Sequence, residues 1–390
     1  MALSKIDVAN MVTGAVPVAN GGTALTSGFK NGVDPRPLSR PIIINGDCSV
    51  AQRGTANTDE SSSGIYRVDR MNVGLSSIGE FRLSQETLSS GNAYNAGFKK
   101  AFRIDCQQAD ASPASSDIAN MTYKIEGRDV QAFKKGTSSA ETYTLAFWVK
   151  SNKTGTAQVN LVDGDNSRMV SATYTISSAD TWEHKVLNYP ADTTGAFDND
   201  NAKSLEIEWA LDAGSDFTSG AVPSAWESQA NTDRSVNDLA LQDNTANDWA
   251  ITGIQLEVGT FSSTTLPPFQ FESFGDNLER CQRYFVTVDT VGATQAGFPG
   301  RAFSSSGIMF AVPLPCALRA APSATLTGTI RAFDDAGTKD STSNLSVTSY
   351  GNTDSSIVML QSTGFSSVSN DNSYNVMAIN DTFYKLDAEL

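Results

Sequence analysis

Apolar and polar residues alternate with a period of two through much of this chain. Residues 140–152 read AETYTLAFWVKSN, with Leu145, Phe147 and Val149 on one side and Ala146, Trp148 and Lys150 on the other. Successive side chains of a strand point to opposite faces, so this run predicts a strand with one side on a core. In SLEIEWALD (204–212), Leu205, Ile207 and Trp209 alternate with Glu206 and Glu208. In DWAITGIQLEVG (248–259), Ile254, Leu256 and Val258 alternate with Gln255 and Glu257, and Gly253 interrupts the pattern. AQVNLVDG, VSATYTIS and TWEHKVLNYP continue the series at short spacing between Gly, Asn and Asp turns. Such spacing predicts a β-sandwich or jelly roll. Sustained helical stripes and heptads are missing from the pattern.

A second group of short alternating runs follows residue 286: GIMFAVPL, SATLTGTIRAF, SNLSVTSY, SSIVMLQS and NVMAINDTFYKLDAEL. Between the groups stands FGDNLERCQRYF (274–285), which predicts a short helix capped by Asp276 and carrying Leu278 and Cys281. The reading is therefore all-β in three parts. Residues 1–40, rich in Gly, Pro and small polar residues, are expected as an extended leader, either flexible or ordered by lying on another subunit as an attachment arm does. Residues 41–276 form a jelly roll, and residues 277–390 a smaller C-terminal β-sandwich. Glu279, Arg280, Cys281 and Arg283 form the hinge, with the arginines pairing to carboxylates such as Glu272 or Glu279.

Composition narrows the chemistry. A length of 390 residues suits two or three domains. The formal net charge of −15 opposes binding to nucleic acid, which relies on Lys and Arg displacing counterions. The four cysteines, Cys48, Cys106, Cys281 and Cys316, form no CxxC pair and are expected as buried free thiols. His184 is the only histidine, which removes most His-based catalysis and metal binding. The N-terminal MALSKIDVANMV lacks the apolar core of a secretory signal, and no segment reaches membrane-spanning length. Synthesis in a cytoplasm is expected.

IINGDCSVAQRGT, YRVDRM, YTLAFWVKSN, DWAITGIQLEVG and LERCQRYF occur in that order. Together they resemble the modular tail-fibre and receptor-binding proteins of tailed bacteriophages. PLPCALRAAPSATL, the final DAEL and the leader stretch VPVANGGTAL are similar to segments of the same family. The likeness spans nearly the whole chain after residue 41. It departs at Met71, where the family often has Trp. The resemblance implies a jelly roll similar to a carbohydrate-binding module, a small tip domain and a homotrimer. It also implies a virion location, with residues 1–40 docked on a phage tail adaptor or nozzle protein. The implied partner is a host surface glycan or other receptor, met without enzymatic activity. Two other readings are a head-attached fibre or decoration protein, and a glycan depolymerase.

Aromatic rings stack on the C–H faces of sugars, so the tryptophans are the binding candidates. Trp226, in the loop GAVPSAWESQ, is expected to be exposed. Trp148 lies opposite the apolar Leu145–Val149 side, at a surface, groove or intersubunit position. Trp182 is a third candidate, whereas Trp209 is expected in the core and Trp249 in packing at the domain seam. The acidic turns VDGDNSR and AFDNDNAK offer Asp163, Asp165, Asn166, Asp198 and Asp200 as oxygen ligands for a structural Ca2+. Ordinary turn chemistry is the alternative for both. Glu206 and Glu208 have a strand spacing compatible with paired glycosidase carboxylates. That spacing is also common to any solvent-facing strand. No other cofactor and no catalytic residue is assigned.

Overall fold

The computed structural model describes residues 40–55, 58–289, 297–334, 337–350 and 355–390. Contacts group Ile42–Leu390 as one compact unit. Residues 1–39, nearly all of the expected attachment arm, lie outside the described residues. The rest is all-β: two sheets form a jelly-roll sandwich and a third set of strands forms the C-terminal domain.

One sandwich sheet has six strands in the order Thr58–Glu60, Glu80–Thr87, Lys100–Gln108, Asp248–Val258, Tyr143–Ser151 and Glu183–Tyr189. The other has seven strands, with Lys203–Ala213 paired between Gly155–Asp163 and Ile118–Glu126. Leu145, Phe147 and Val149 face Trp209, Leu205 and Ile207 in one core, as their alternation requires. Trp249 is also in this core, donating from its indole nitrogen to the Tyr174 hydroxyl at 3.1 Å, not at the domain seam.

Gly253 explains the break in the Asp248–Val258 strand. Its φ of +63° is left-handed, and the pairing with Tyr143–Ser151 slips between Thr252 and Gln255. A Cβ at this position would lie 2.6 Å from the Phe98 ring, so that ring fills the space a side chain would occupy. Phe269 and Phe271 of the following linker pack onto Phe98, with ring centroids 4.9 and 5.1 Å away. Gln255 is therefore covered and donates to the Pro267 carbonyl at 3.1 Å.

Among the described residues the C-terminal domain holds one eight-stranded sheet, with seven strands in one path on which Ser373–Asp387 lies between Ser323–Asp334 and Phe298–Ser304, and with Phe285–Asp289 paired to Ser373–Asp387 off that path. Ile308, Phe310, Val358, Leu360, Val376 and Tyr384 give it a core of its own. The Phe274–Gln282 helix joins the two cores, and its cap is Ser273 rather than Asp276. The Ser273 hydroxyl accepts the Asp276 amide. Cys281 and Tyr284 pack with Ile44 and Val50 of the sandwich.

That junction is built from arginines. Arg283 makes a bidentate pair with Glu126, with both contacts at 2.8 Å, and the Tyr284 hydroxyl donates to the same carboxylate at 2.7 Å. Arg280 pairs with Glu272 at 2.7 Å, and the Glu279 carbonyl accepts the Cys316 thiol at 3.4 Å. Arg70 is buried beneath the chain end, paired with Glu389 and lying 3.5 Å over the Tyr284 ring. Arg319 donates to the Ala388, Glu389 and Asn201 carbonyls at 2.8–2.9 Å.

Candidate functional site

The outer face of the six-stranded sheet carries Trp148 and His184. Register places His184 opposite Trp148, and their rings stack at 4.9 Å with 29° between planes. Trp148 is half-buried, and His184 is exposed. Desolvation lowers the His184 pKa, so the ring is neutral near pH 7 and stacks as an apolar surface.

On one side of this stack, His184, Val186, Asn188, Phe261 and Ser262 line a depression of about 540 Å³. On the other, Trp182 walls a depression of about 350 Å³ with Glu86, Asn92, Lys150 and Asp180. Its floor is set by Gly91, with φ +94°, where a Cβ would come within 3.2 Å of the Trp182 ring. Asn92 donates to the Trp182 carbonyl at 3.1 Å, tying this loop to the strand edge. Lys150 lies 5.4 Å over the Trp182 ring and 3.3 Å from one Glu86 oxygen. The other Glu86 oxygen is buried without a protein partner. Glu86 is shared with a third depression of about 540 Å³, lined by Arg82, Ser84, Arg103, Asp105 and Asn247. There Arg103 bridges Asp105 at 2.6 Å and Asp248 at 3.0 Å. Burial raises the Asp248 pKa against the pull of Arg103. The row therefore combines flat apolar rings with hydrogen-bonding side chains, the pairing a polyhydroxyl ligand needs.

The candidates from sequence separate accordingly. Trp148 and Trp182 come together on this face, with Trp182 largely buried. Trp226 is not exposed. It is 8% accessible, donates to the Pro190 carbonyl at 2.9 Å and packs against Tyr143. Its loop is covered by chain segments distant in sequence, which the local pattern could not reveal. Trp209 is in the core as expected.

The two acidic turns do meet, but around an amine. Asp165 accepts the Asp198 amide at 2.9 Å, and Asn166 donates to the Ala196 carbonyl at 2.8 Å. Asp163 is fully buried against the Lys135 ammonium, and its other oxygen accepts the amides of Asp165 and Asn166 at 3.0 and 3.1 Å. Asp200 accepts the Ala202 amide at 2.9 Å, which is turn chemistry. Among the described residues, no three His, Cys, Asp or Glu side chains gather as a metal-ligand set. Glu208 is not on an open face: it is buried and paired with Arg234 at 2.9 Å, with Asn120 donating to it at 2.9 Å. The four cysteines are free, and three are buried.

Sequence reasoning passed over Lys135, Arg70, Arg319 and the Phe98–Phe269–Phe271 cluster. Only the last left a readable trace, in the phenylalanines crowded into PPFQFESF.

The fold and this face together define an all-β protein with a jelly-roll sandwich and a ring-lined sheet surface. No protein-family model and no curated protein matches the chain. Similar solved structures include the enzymatically active domain of bacteriophage CBA120 tailspike protein 4, at 14% identity and a TM-score of 0.28. That likeness covers 56% of this chain and 21% of the tailspike chain, so the chain spans about a fifth of that protein. A family 4 carbohydrate-binding module is similar over 55% of this chain and 97% of its own, at 10% identity and a TM-score of 0.28. A family 11 module from Clostridium thermocellum covers 54% and 99%, at 9% identity and a TM-score of 0.27.

Proposed function

We propose that this chain is an adhesive fibre protein of a tailed-phage virion that holds a host surface glycan on the outer face of its six-stranded sheet. The observation that carries the binding reading is the Trp148–His184 stack set beside the Trp182-walled depression. The ordered motifs that resemble phage fibre proteins support the virion setting. In this reading residues 1–40 dock on the tail, the assembly is a homotrimer, and three weak sites on one spike gain avidity from their proximity. The protein adheres and does not cleave, a reading favoured by the engagement of Glu208 with Arg234 and Asn120. Release of oligosaccharides from host polysaccharide would refute it.

A glycan array probed with the full chain tests the face. Trp148→Ala removes one ring of the stack and is expected to weaken binding about tenfold, the equivalent of roughly 1.4 kcal/mol. Glu86→Gln, which loosens Lys150 beside Trp182, is expected to change the ranking of bound glycans. Retention of wild-type binding by both variants would remove this face from consideration.

A further inference from the structure

The meeting of the two acidic turns around an amine has a consequence independent of the glycan reading. Lys135 and Asp163 are both 0% exposed, and Asp192 is 4% exposed. The Lys135 ammonium faces four oxygens: the carboxylates of Asp163 and, at 3.0 Å, Asp192, and the carbonyls of Thr194 at 2.9 Å and Gly195 at 2.7 Å. The Trp226 and Phe197 rings complete the enclosure, with centroids 5.1 and 5.3 Å from the nitrogen.

Both carboxylates of this enclosure are also held by groups other than the lysine. Asp163 accepts the Asp165 and Asn166 amides. Asp192 is held by Arg168 at 2.7 and 3.2 Å and accepts the Thr194 amide at 3.0 Å. Gly136, with φ +78°, allows the chain to press against Ala196, where a Cβ would lie 2.5 Å from the backbone nitrogen. Carboxylates and backbone carbonyls are the donor set of a hard cation such as Ca2+.

We infer that the Lys135 ammonium is the resident cation of a built oxygen cage, and that the cage is a latent Ca2+ site opened only when that amine is removed. A charged side chain, tethered to the chain, holds the position at any free Ca2+ concentration. Loss of the amine leaves two buried carboxylates facing each other with only Arg168 to offset them, and an uncompensated buried charge is costly. An ion that enters then stabilises the fold in proportion to the logarithm of its concentration.

The test compares the full-length wild type with Lys135→Ala, using CaCl2, EDTA and Tb3+ as probes. In EDTA the variant is expected to melt on the order of 10 °C below wild type, and to recover as CaCl2 rises through the millimolar range. Tb3+ bound in the cage is expected to emit on excitation of Trp226, and that emission should vanish in Lys135→Ala/Asp163→Asn. Wild-type protein is expected to give no Trp226-sensitised emission, and its melting point should be equal in CaCl2 and EDTA. A Lys135→Ala chain that neither recovers in CaCl2 nor sensitises Tb3+ overturns the inference, as does one that stays unfolded in millimolar CaCl2. Equal Tb3+ emission from wild type also overturns it. So does an intact wild-type mass lower by one water, which would mean that Lys135 Nζ and Asp163 Cγ had joined as an uncharged amide.

Discussion

Removing the charge of Glu389 tests whether the chain end locks the sandwich to the C-terminal domain. Arg70 is 2% exposed and Glu389 is 5% exposed, so their pair is shielded from water. The guanidinium also donates to the Lys124 carbonyl and lies 3.5 Å over the Tyr284 ring. Burial works against its charge, yet Glu389 and the neighbouring tyrosines outweigh that effect and raise its pKa. A guanidinium is not deprotonated in proteins, so the arginine stays charged when its partner is neutralised. Removing one member of a buried pair costs about 3–5 kcal/mol, because the other is left as an uncompensated charge. The side-chain amide introduced by Glu389→Gln can still accept one hydrogen bond, so this variant is expected at the lower end, about 3 kcal/mol. At roughly 2 °C per kcal/mol for a unit of this size, the melting point falls by about 6 °C in scanning calorimetry. Arg70→Met/Glu389→Met replaces the pair with apolar volume over Tyr284 and should recover most of that loss, since such exchanges are often neutral or better. A Glu389→Gln protein melting within about 1 °C of wild type refutes the reasoning. So does a double variant that melts below the single one.

Two further perturbations probe the fold beneath the candidate face. Gly253→Ala forces a Cβ into left-handed backbone and against Phe98, and is expected to cost about 2–3 kcal/mol in denaturant unfolding. Part of that cost should disappear in a Phe98→Ala background, and strict additivity would show that the ring is not what excludes the side chain. Burial raises the Asp212 carboxyl to about 7, well above its unfolded value near 4. The folded state thus favours the protonated acid, and stability falls as pH rises from about 4 through 7. Asp212→Asn should lose this slope, so its melting point gains on wild type up to about pH 7 and runs parallel above it. Parallel profiles across the whole range would exclude Asp212 as the group responsible.

How much of the structure is legible in the sequence depends on how far each partner lies along the chain. Leu145, Phe147 and Val149 declare their burial through neighbours two residues apart, and the strand and its core side are set at once. Trp148 is placed by the same alternation, which is why half of the candidate face is legible. Gly253 is visible as an interruption, but the Phe98 ring that makes it necessary lies 155 residues earlier. Trp226 misleads because its loop composition reports only on its immediate neighbours, while Pro190, Tyr143 and Lys135 close over it in space. The acidic turns raise a real question about cation chemistry. Its answer, Lys135, lies 28 residues before Asp163 and outside either turn. The Arg70–Glu389 lock is more remote still, at 319 residues. Arg70 in YRVDRM and Glu389 in DAEL carry no signal of each other. Arg70 supplies the buried cation and Glu389 the carboxylate that makes its burial tolerable, so removing either one alone is expected to destabilise the junction.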